Sequence, residues 1–177
     1  MMIAAIVVQS GGLFDEINGI PLHPLTVHAV VVLVPVAALG LLAMVALPAF
    51  SRRFGIVVVG ASVAATGAAF VAKQAGEALQ VRVGAPGYDH AELGSLMPWF
   101  ALALMAAVIG LWLIDRRADP AQPWTRNGLR VAVAALSVAV ALASLLWIYR
   151  VGDSGARSVW TNPSDANVTS GTGGDAG

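Results

Sequence analysis

Four long apolar stretches alternate with short polar segments along the chain. The stretches cover residues 29–50, 54–72, 93–114 and 131–149, and none of them contains a charged side chain. Each has roughly the 20 apolar residues that an α-helix needs to cross the hydrocarbon core of a bilayer. The pattern therefore predicts an all-α fold in which four transmembrane helices form a bundle.

Composition supports a membrane protein and excludes several kinds of site. Hydrophobic residues make up 58% of the chain and charged residues only 11%, against about 25% charged in soluble domains. The net charge is zero, so the expected partner is the lipid bilayer and not a nucleic acid. Cysteine is absent, which excludes disulfides, thiolate metal sites and covalently attached haem. Any metal or haem must be held by histidine, carboxylate, methionine or backbone oxygen.

The charges between the stretches predict an orientation. The segments after the first and third stretches are rich in arginine, and the positive-inside rule places such segments in the cytoplasm. We therefore predict a multi-pass protein of the cytoplasmic membrane, with both termini and all three histidines extracytoplasmic. The charges in these segments are Arg52, Arg53, Arg116, Arg117, Arg126 and Arg130 against Asp115 and Asp119.

Outside the bundle, the two ends of the chain have different compositions. Residues 1–22 begin with a short apolar run that lacks the basic start of a signal peptide, and we interpret them as an extracytoplasmic interfacial segment. Residues 23–160 form the four-helix transmembrane domain. Residues 161–177 are rich in Ser, Thr, Gly and Asp, a composition that predicts a disordered extracytoplasmic tail.

The two halves of the chain resemble each other. In each, a histidine stands near the start of the first helix, a double arginine marks the turn, and a glycine followed by an acidic residue comes after the second helix. This order predicts two parallel helical hairpin repeats related by an axis along the membrane normal. The matched positions are His28 and His90, Arg52-Arg53 and Arg116-Arg117, and Gly76-Glu77 and Gly152-Asp153.

This repeat would place His28, Glu77, His90 and Asp153 in one ring at the outer end of the bundle. Two imidazoles and two carboxylates are suitable ligands for Zn²⁺, Mn²⁺ or Fe²⁺. Alternatively, His28 and His90 would ligate haem b from its two sides. His23 is a third cofactor-binding candidate, because Pro24 suits the first helical position and leaves His23 at the cap, close to His28. The residues do not decide between haem and a mononuclear metal.

Ordinary structural roles compete with each of these ligand assignments. His28 would be an interfacial residue bonded to water or a headgroup, and His23 would only cap its helix. Asp89 or His90 would cap the third helix in the same way. Lys73 and Glu77 have the i,i+4 spacing of an ion pair on one helix face.

The segment Gly19–His28, with its Pro-Leu-His-Pro stretch and second histidine, resembles the opening signature of the domain of unknown function 2231 family of bacterial membrane proteins. The resemblance extends over residues 13–160 and includes Gly76-Glu77, residues 90–94 and residues 151–157. The family has no established activity, but similar domains are joined to cytochrome-like modules, which implies a redox role on the outer face. In some relatives a histidine stands where this chain has Asp153, which weakens haem ligation from the fourth helix.

Two functions follow as hypotheses. The first is a haem- or metal-binding membrane protein that exchanges electrons with an extracytoplasmic redox partner. The second is a structural or accessory membrane subunit without a cofactor, docking a partner protein through its polar outer rim. A permease ranks last because no ionisable residue lies within the stretches. The sequence has no Ser-His-Asp order, nucleotide-binding loop or HExxH motif, so we do not expect an enzyme.

Overall fold

The computed structural model describes residues 16–17, 20–83, 89–119, 123 and 128–160. Most of the expected interfacial segment, residues 1–22, and the whole expected tail, residues 161–177, lie outside this described part.

Four long helices make up nearly all of the described chain. A two-residue antiparallel ladder, in which Glu16–Ile17 (β1) pairs with Ile20–Pro21 (β2), comes directly before the first helix. Each of the four helices is long and apolar enough to cross a membrane. The prediction of an all-α, four-helix transmembrane bundle is confirmed. The helices are α1 Leu22–Ala46, α2 Pro48–Val83, α3 His90–Arg117 and α4 Gly128–Trp160.

The first hairpin turns earlier than the sequence pattern predicts. Helix α1 ends at Ala46, Leu47 alone separates it from α2, and Pro48 is the first residue of α2. Proline has no backbone N–H to continue α1, and its fixed φ suits the first position of a new helix. The double arginine at 52 and 53 therefore lies inside α2 and does not form the turn.

Helices α2 and α4 also continue well beyond the apolar stretches. Helix α2 passes Lys73 and ends at Val83, and α4 passes Arg150 and ends at Trp160. The glycines at 152 and 155 therefore lie inside α4 and do not end it. These extensions matter because they carry the glycines that contact the histidines.

The two hairpins pack in the same way, and their buried positions can be superposed. Helices α1 and α3 touch each other across the bundle, and each also contacts α2 and α4. A shift of 67 positions (90 − 23) places the buried residues of α1 on those of α3, and a shift of 79 (155 − 76) does the same for α2 and α4. The hairpins thus pack as parallel repeats. The buried pairs are Val30/Met97, Val34/Ala101, Ala37/Leu104, Leu41/Val108, Met44/Leu111, Ser51/Arg130, Val58/Ser137, Ser62/Ala141, Ala65/Ser144 and Ala69/Ile148.

The outer surface of the bundle is apolar along its length. Large aliphatic side chains on several helices are more than half exposed, an arrangement that suits lipid better than water. Small residues and hydroxyls instead face the neighbouring helices: Thr66 Oγ1 of α2 donates a hydrogen bond to the Ala101 carbonyl of α3 at 3.1 Å. Such bonds join helices where lipid provides no hydrophobic drive between them. The exposed aliphatic residues include Val32, Val36, Leu39, Val57, Leu136, Leu142 and Leu146.

Candidate functional site

Two histidines from different hairpins meet at one end of the bundle, which we call the histidine end. The ring centres of His23 (α1) and His90 (α3) are 6.4 Å apart, and the ring planes are inclined at 76°. Each residue lies at the start of its helix, His23 as the second residue of α1 and His90 as the first of α3. Contact between α1 and α3 across the bundle brings the two rings together.

Each imidazole lies against a glycine of the second helix in its own hairpin. A Cβ added at Gly76 would be 3.0 Å from Cε1 of His23, and a Cβ added at Gly155 would be 3.0 Å from Cε1 of His90. Both distances are shorter than ordinary van der Waals contact. Absence of a side chain at these positions therefore provides the space in which the rings lie.

Hydrogen bonds determine which ring nitrogen carries the proton in each of these histidines. His23 Nδ1–H donates to the Ala72 carbonyl at 2.9 Å, because a carbonyl oxygen can only accept. Ser154 Oγ–H donates to the Val151 carbonyl at 3.0 Å, which leaves the hydroxyl oxygen to accept from His90 Nδ1–H at 3.1 Å. In the neutral form of both rings, Nε2 then has a free lone pair. This is the arrangement typical of metal-binding histidines, whose other nitrogen donates to a second residue.

Helix α3 begins without a side-chain cap. Asp89 has a left-handed backbone conformation with φ 54°, and its carboxylate makes no capping hydrogen bond. His23 likewise lies inside α1, which begins at Leu22, and is not its cap. Both capping alternatives are therefore wrong for these side chains.

His28 does not take the position that the sequence analysis gave it. Its Nδ1–H donates to the Pro24 carbonyl of its own helix at 2.6 Å, and the side chain is exposed. Five residues correspond to about 140° of helix rotation, so when His23 faces α3, His28 faces elsewhere. The repeat therefore pairs His23, and not His28, with His90.

The structure does not assemble the expected ring of His28, Glu77, His90 and Asp153. Glu77 forms an i,i+4 ion pair with Lys73, and Asp153 forms one with Arg157 at 3.0 Å. Within the described residues, no group of three or more His, Cys, Asp or Glu side chains is placed to hold a metal ion. Each of the two carboxylates is instead paired with a cation on its own helix, one turn away.

A cavity of about 1010 Å³, the histidine cavity, opens at this end of the bundle. All four helices line it, and its walls are mainly apolar. Its volume is at the upper end of the roughly 300–1,000 Å³ range of small-molecule sites. All three histidines line it, and its polar side chains are His23, His28, Lys73, Glu77, Gln80, His90 and Ser95.

Comparison with known proteins agrees with this architecture. The family described as "Predicted membrane protein (DUF2231)" matches residues 19–164, most of the chain. The chain belongs to the DUF2231 family. No curated protein and no solved structure matches it. The matched range includes both histidines of the pair and both glycines that they contact, so the histidine cavity is built from the part that this DUF2231 protein shares with its family.

A second polar cluster, which the sequence analysis missed, lies at the opposite end of the DUF2231 bundle. Arg130 (α4) and Asp115 (α3) form an ion pair in which both side chains are only 1% exposed, with Nε and Oδ1 2.6 Å apart. Arg130 Nη2 also lies 3.3 Å from the Met44 carbonyl and 3.4 Å from the Val45 carbonyl, at the end of α1. Pro48 has no N–H for the Met44 carbonyl, and the guanidinium provides a donor in its place.

The spacing of buried residues along α3 and α4 indicates this ion pair. Asp115 continues the buried series of α3 that runs through Leu104, Val108 and Leu111. Arg130 begins the corresponding series of α4. Charged residues at core positions of facing helices indicate a buried pair, whereas the loop-charge count treats them as solvent-exposed.

Proposed function

We propose that this DUF2231 protein binds one haem b between His23 and His90 and carries electrons at the extracytoplasmic face of the membrane. The observation that carries the proposal is the pair of imidazoles, each with its Nδ1–H bonded to the neighbouring helix, beside a large apolar cavity.

The spacing of the two rings suits ligation from opposite sides. Two imidazoles that bind one ion in line, with metal–nitrogen bonds of about 2 Å, have ring centres roughly 6 Å apart. The rings of His23 and His90 have their centres 6.4 Å apart. In both rings, Nδ1 carries the proton and donates it in a hydrogen bond. Nε2 is therefore the nitrogen that is free to bind the iron.

The number of ligands favours haem over a mononuclear metal. Structural zinc sites take four protein ligands, and catalytic ones take three. The described residues provide no such group, because Glu77 and Asp153 are engaged with cations on their own helices. A porphyrin supplies four nitrogens itself and needs only two axial histidines. Its broad apolar surface also matches a mainly apolar cavity.

Two axial histidines leave no open position on the iron, a condition that favours electron transfer over binding or activation of small ligands. When bound, the haem would supply a one-electron couple, and the protein would position it and exclude water. The arginines at 52, 53, 116 and 117 lie at the end of the bundle remote from the histidines, and by the positive-inside rule this distribution supports an extracytoplasmic position for the histidines. The expected partner is therefore an extracytoplasmic redox protein.

One observation favours the second function, an accessory subunit without a cofactor. The rings of His23 and His90 fill the space above Gly76 and Gly155, and this packing would also hold the four helices together at one end. In that case the histidines would contribute to stability alone.

Absorption spectroscopy of the detergent-purified protein tests the proposal. The sample is measured as isolated and after dithionite, with iron, zinc, manganese and copper determined on the same material. We expect a Soret band that shifts on reduction and about one iron per chain. A folded sample with no Soret band, expressed with haem available, would contradict haem binding and favour the accessory subunit.

A further inference from the structure

The two hairpins contribute matching positions to the lining of the histidine cavity, but the side chains at these positions differ in chemistry. Superposing the hairpins places its lining residues on one another, with His23 on His90 and Gly76 on Gly155. The same superposition places His28 on Ser95, Lys73 on Gly152 and Glu77 on Ala156. The first hairpin thus provides an imidazole, an ammonium and a carboxylate where the second provides a hydroxyl and two small groups.

From this asymmetry we propose that Lys73 binds the carboxylates of the ligand in the histidine cavity, so that the acidic edge of a haem faces α2 and not α4. The inference rests on the proposed function, because haem b is a flat, mainly apolar molecule with two carboxylates on one edge. A symmetric pair of histidines cannot distinguish the two ways of inserting such a molecule. A single cation on one side can.

Lys73 is available for this role although it has an intramolecular partner. Its side chain is 29% exposed and pairs with Glu77, whose side chain is 53% exposed. Exposed i,i+4 pairs of this kind are weak, so a ligand carboxylate can compete for the ammonium. Glu77 lines the same cavity and would repel the acidic edge of the ligand.

The experiment compares ferric haem b with its dimethyl ester, in which both carboxylates are replaced by uncharged methyl esters. Both are titrated into detergent-purified protein that has been expressed without added haem, and the dissociation constants are read from the Soret band. We expect the wild type to bind the free acid more tightly than the ester. Lys73→Ala should reduce this preference about twofold to fivefold, with its affinity for the ester unchanged from that of the wild type. Glu77→Gln should increase the preference by a similar factor.

Arg157→Ala is the matched control, since it removes a cation from α4 at the same end of the bundle, outside the cavity lining. It should leave the preference unchanged. Equal binding of the two probes by the wild type, or an unaltered preference in both Lys73→Ala and Glu77→Gln, would overturn the role of Lys73 while leaving haem binding intact. If neither probe binds, the proposed function itself fails, and this inference fails with it.

Discussion

Arg130 and Asp115 form a buried ion pair between α4 and α3, with both side chains 1% exposed and Nε 2.6 Å from Oδ1. Loss of one partner leaves a charge buried in the bundle, which is typically destabilising by about 3–5 kcal/mol. We therefore expect Asp115→Ala to lower the thermal unfolding midpoint of the detergent-solubilised protein strongly.

Asp153→Ala is the control for that prediction, because Asp153 and Arg157 form an exposed pair on a single helix. Such pairs contribute about 0–1 kcal/mol, so its unfolding midpoint should change little. Similar midpoints for Asp115→Ala and Asp153→Ala would show that the buried pair does not hold the helices together.

Gly76 and Gly155 are expected to be necessary for cofactor binding although neither has a side chain. A Cβ at either position would be 3.0 Å from a histidine ring, and the branched side chain of Gly76→Val or Gly155→Val would displace the ring. Both variants should lose most of the Soret band. Gly67→Val, at an exposed position of α2 with nothing within 4 Å of an added Cβ, should retain it. A full Soret band in Gly155→Val would contradict the assignment of His90.

Ser154 acts on His90 as a positioning residue. Its hydroxyl accepts from His90 Nδ1–H and thereby orients the ring and fixes its proton. Removal of such a second partner typically weakens metal binding 10- to 100-fold. Ser154→Ala should therefore weaken haem binding by about that factor in a Soret titration.

Ser144→Ala provides the comparison on the same helix. The Ser144 hydroxyl is buried and has no hydrogen-bond partner among the described residues, so its loss should leave haem affinity unchanged. If both serine variants bind haem like the wild type, the hydrogen bond to His90 is not functional.

His28 is expected to be dispensable for axial ligation, because it is exposed and bonded to its own helix. His28→Ala should retain the Soret band and the reduced spectrum of the wild type, whereas His23→Ala and His90→Ala should each change both. Loss of the band in His28→Ala alone would restore the ligand pair predicted from the sequence.

The membrane bundle could be predicted from the sequence because burial in lipid leaves a direct pattern, four uncharged stretches of sufficient length. Helix ends were less predictable. The extensions of α2 and α4 are polar, since they leave the apolar stretches, yet they remain helical through Val83 and Trp160. Hydropathy alone does not distinguish such an extension from a loop.

The sequence analysis paired His28 with His90, whereas the structure places His23 beside His90, because the rotation of α1 about its axis decides which histidine faces α3. His23 and His28 lie about 140° apart on that helix, so only one of them faces α3. The buried positions show how α1 and α3 are rotated about their axes. Buried Val30 follows His23 by seven positions, and buried Met97 follows His90 by the same seven. A comparison of the two halves by burial period, instead of by local motif, would have matched His23 with His90.

Electron paramagnetic resonance of the ferric protein tests most directly whether His23 and His90 together ligate one haem. Two axial imidazoles whose planes are inclined at 76° should give the strongly anisotropic low-spin signal of nearly perpendicular rings, and not the rhombic signal of parallel ones. His23→Ala and His90→Ala should each convert it to a high-spin signal, while His28→Ala should not. A low-spin signal that survives in both single variants, or no haem signal in the wild type, would contradict the ligation of one haem by His23 and His90.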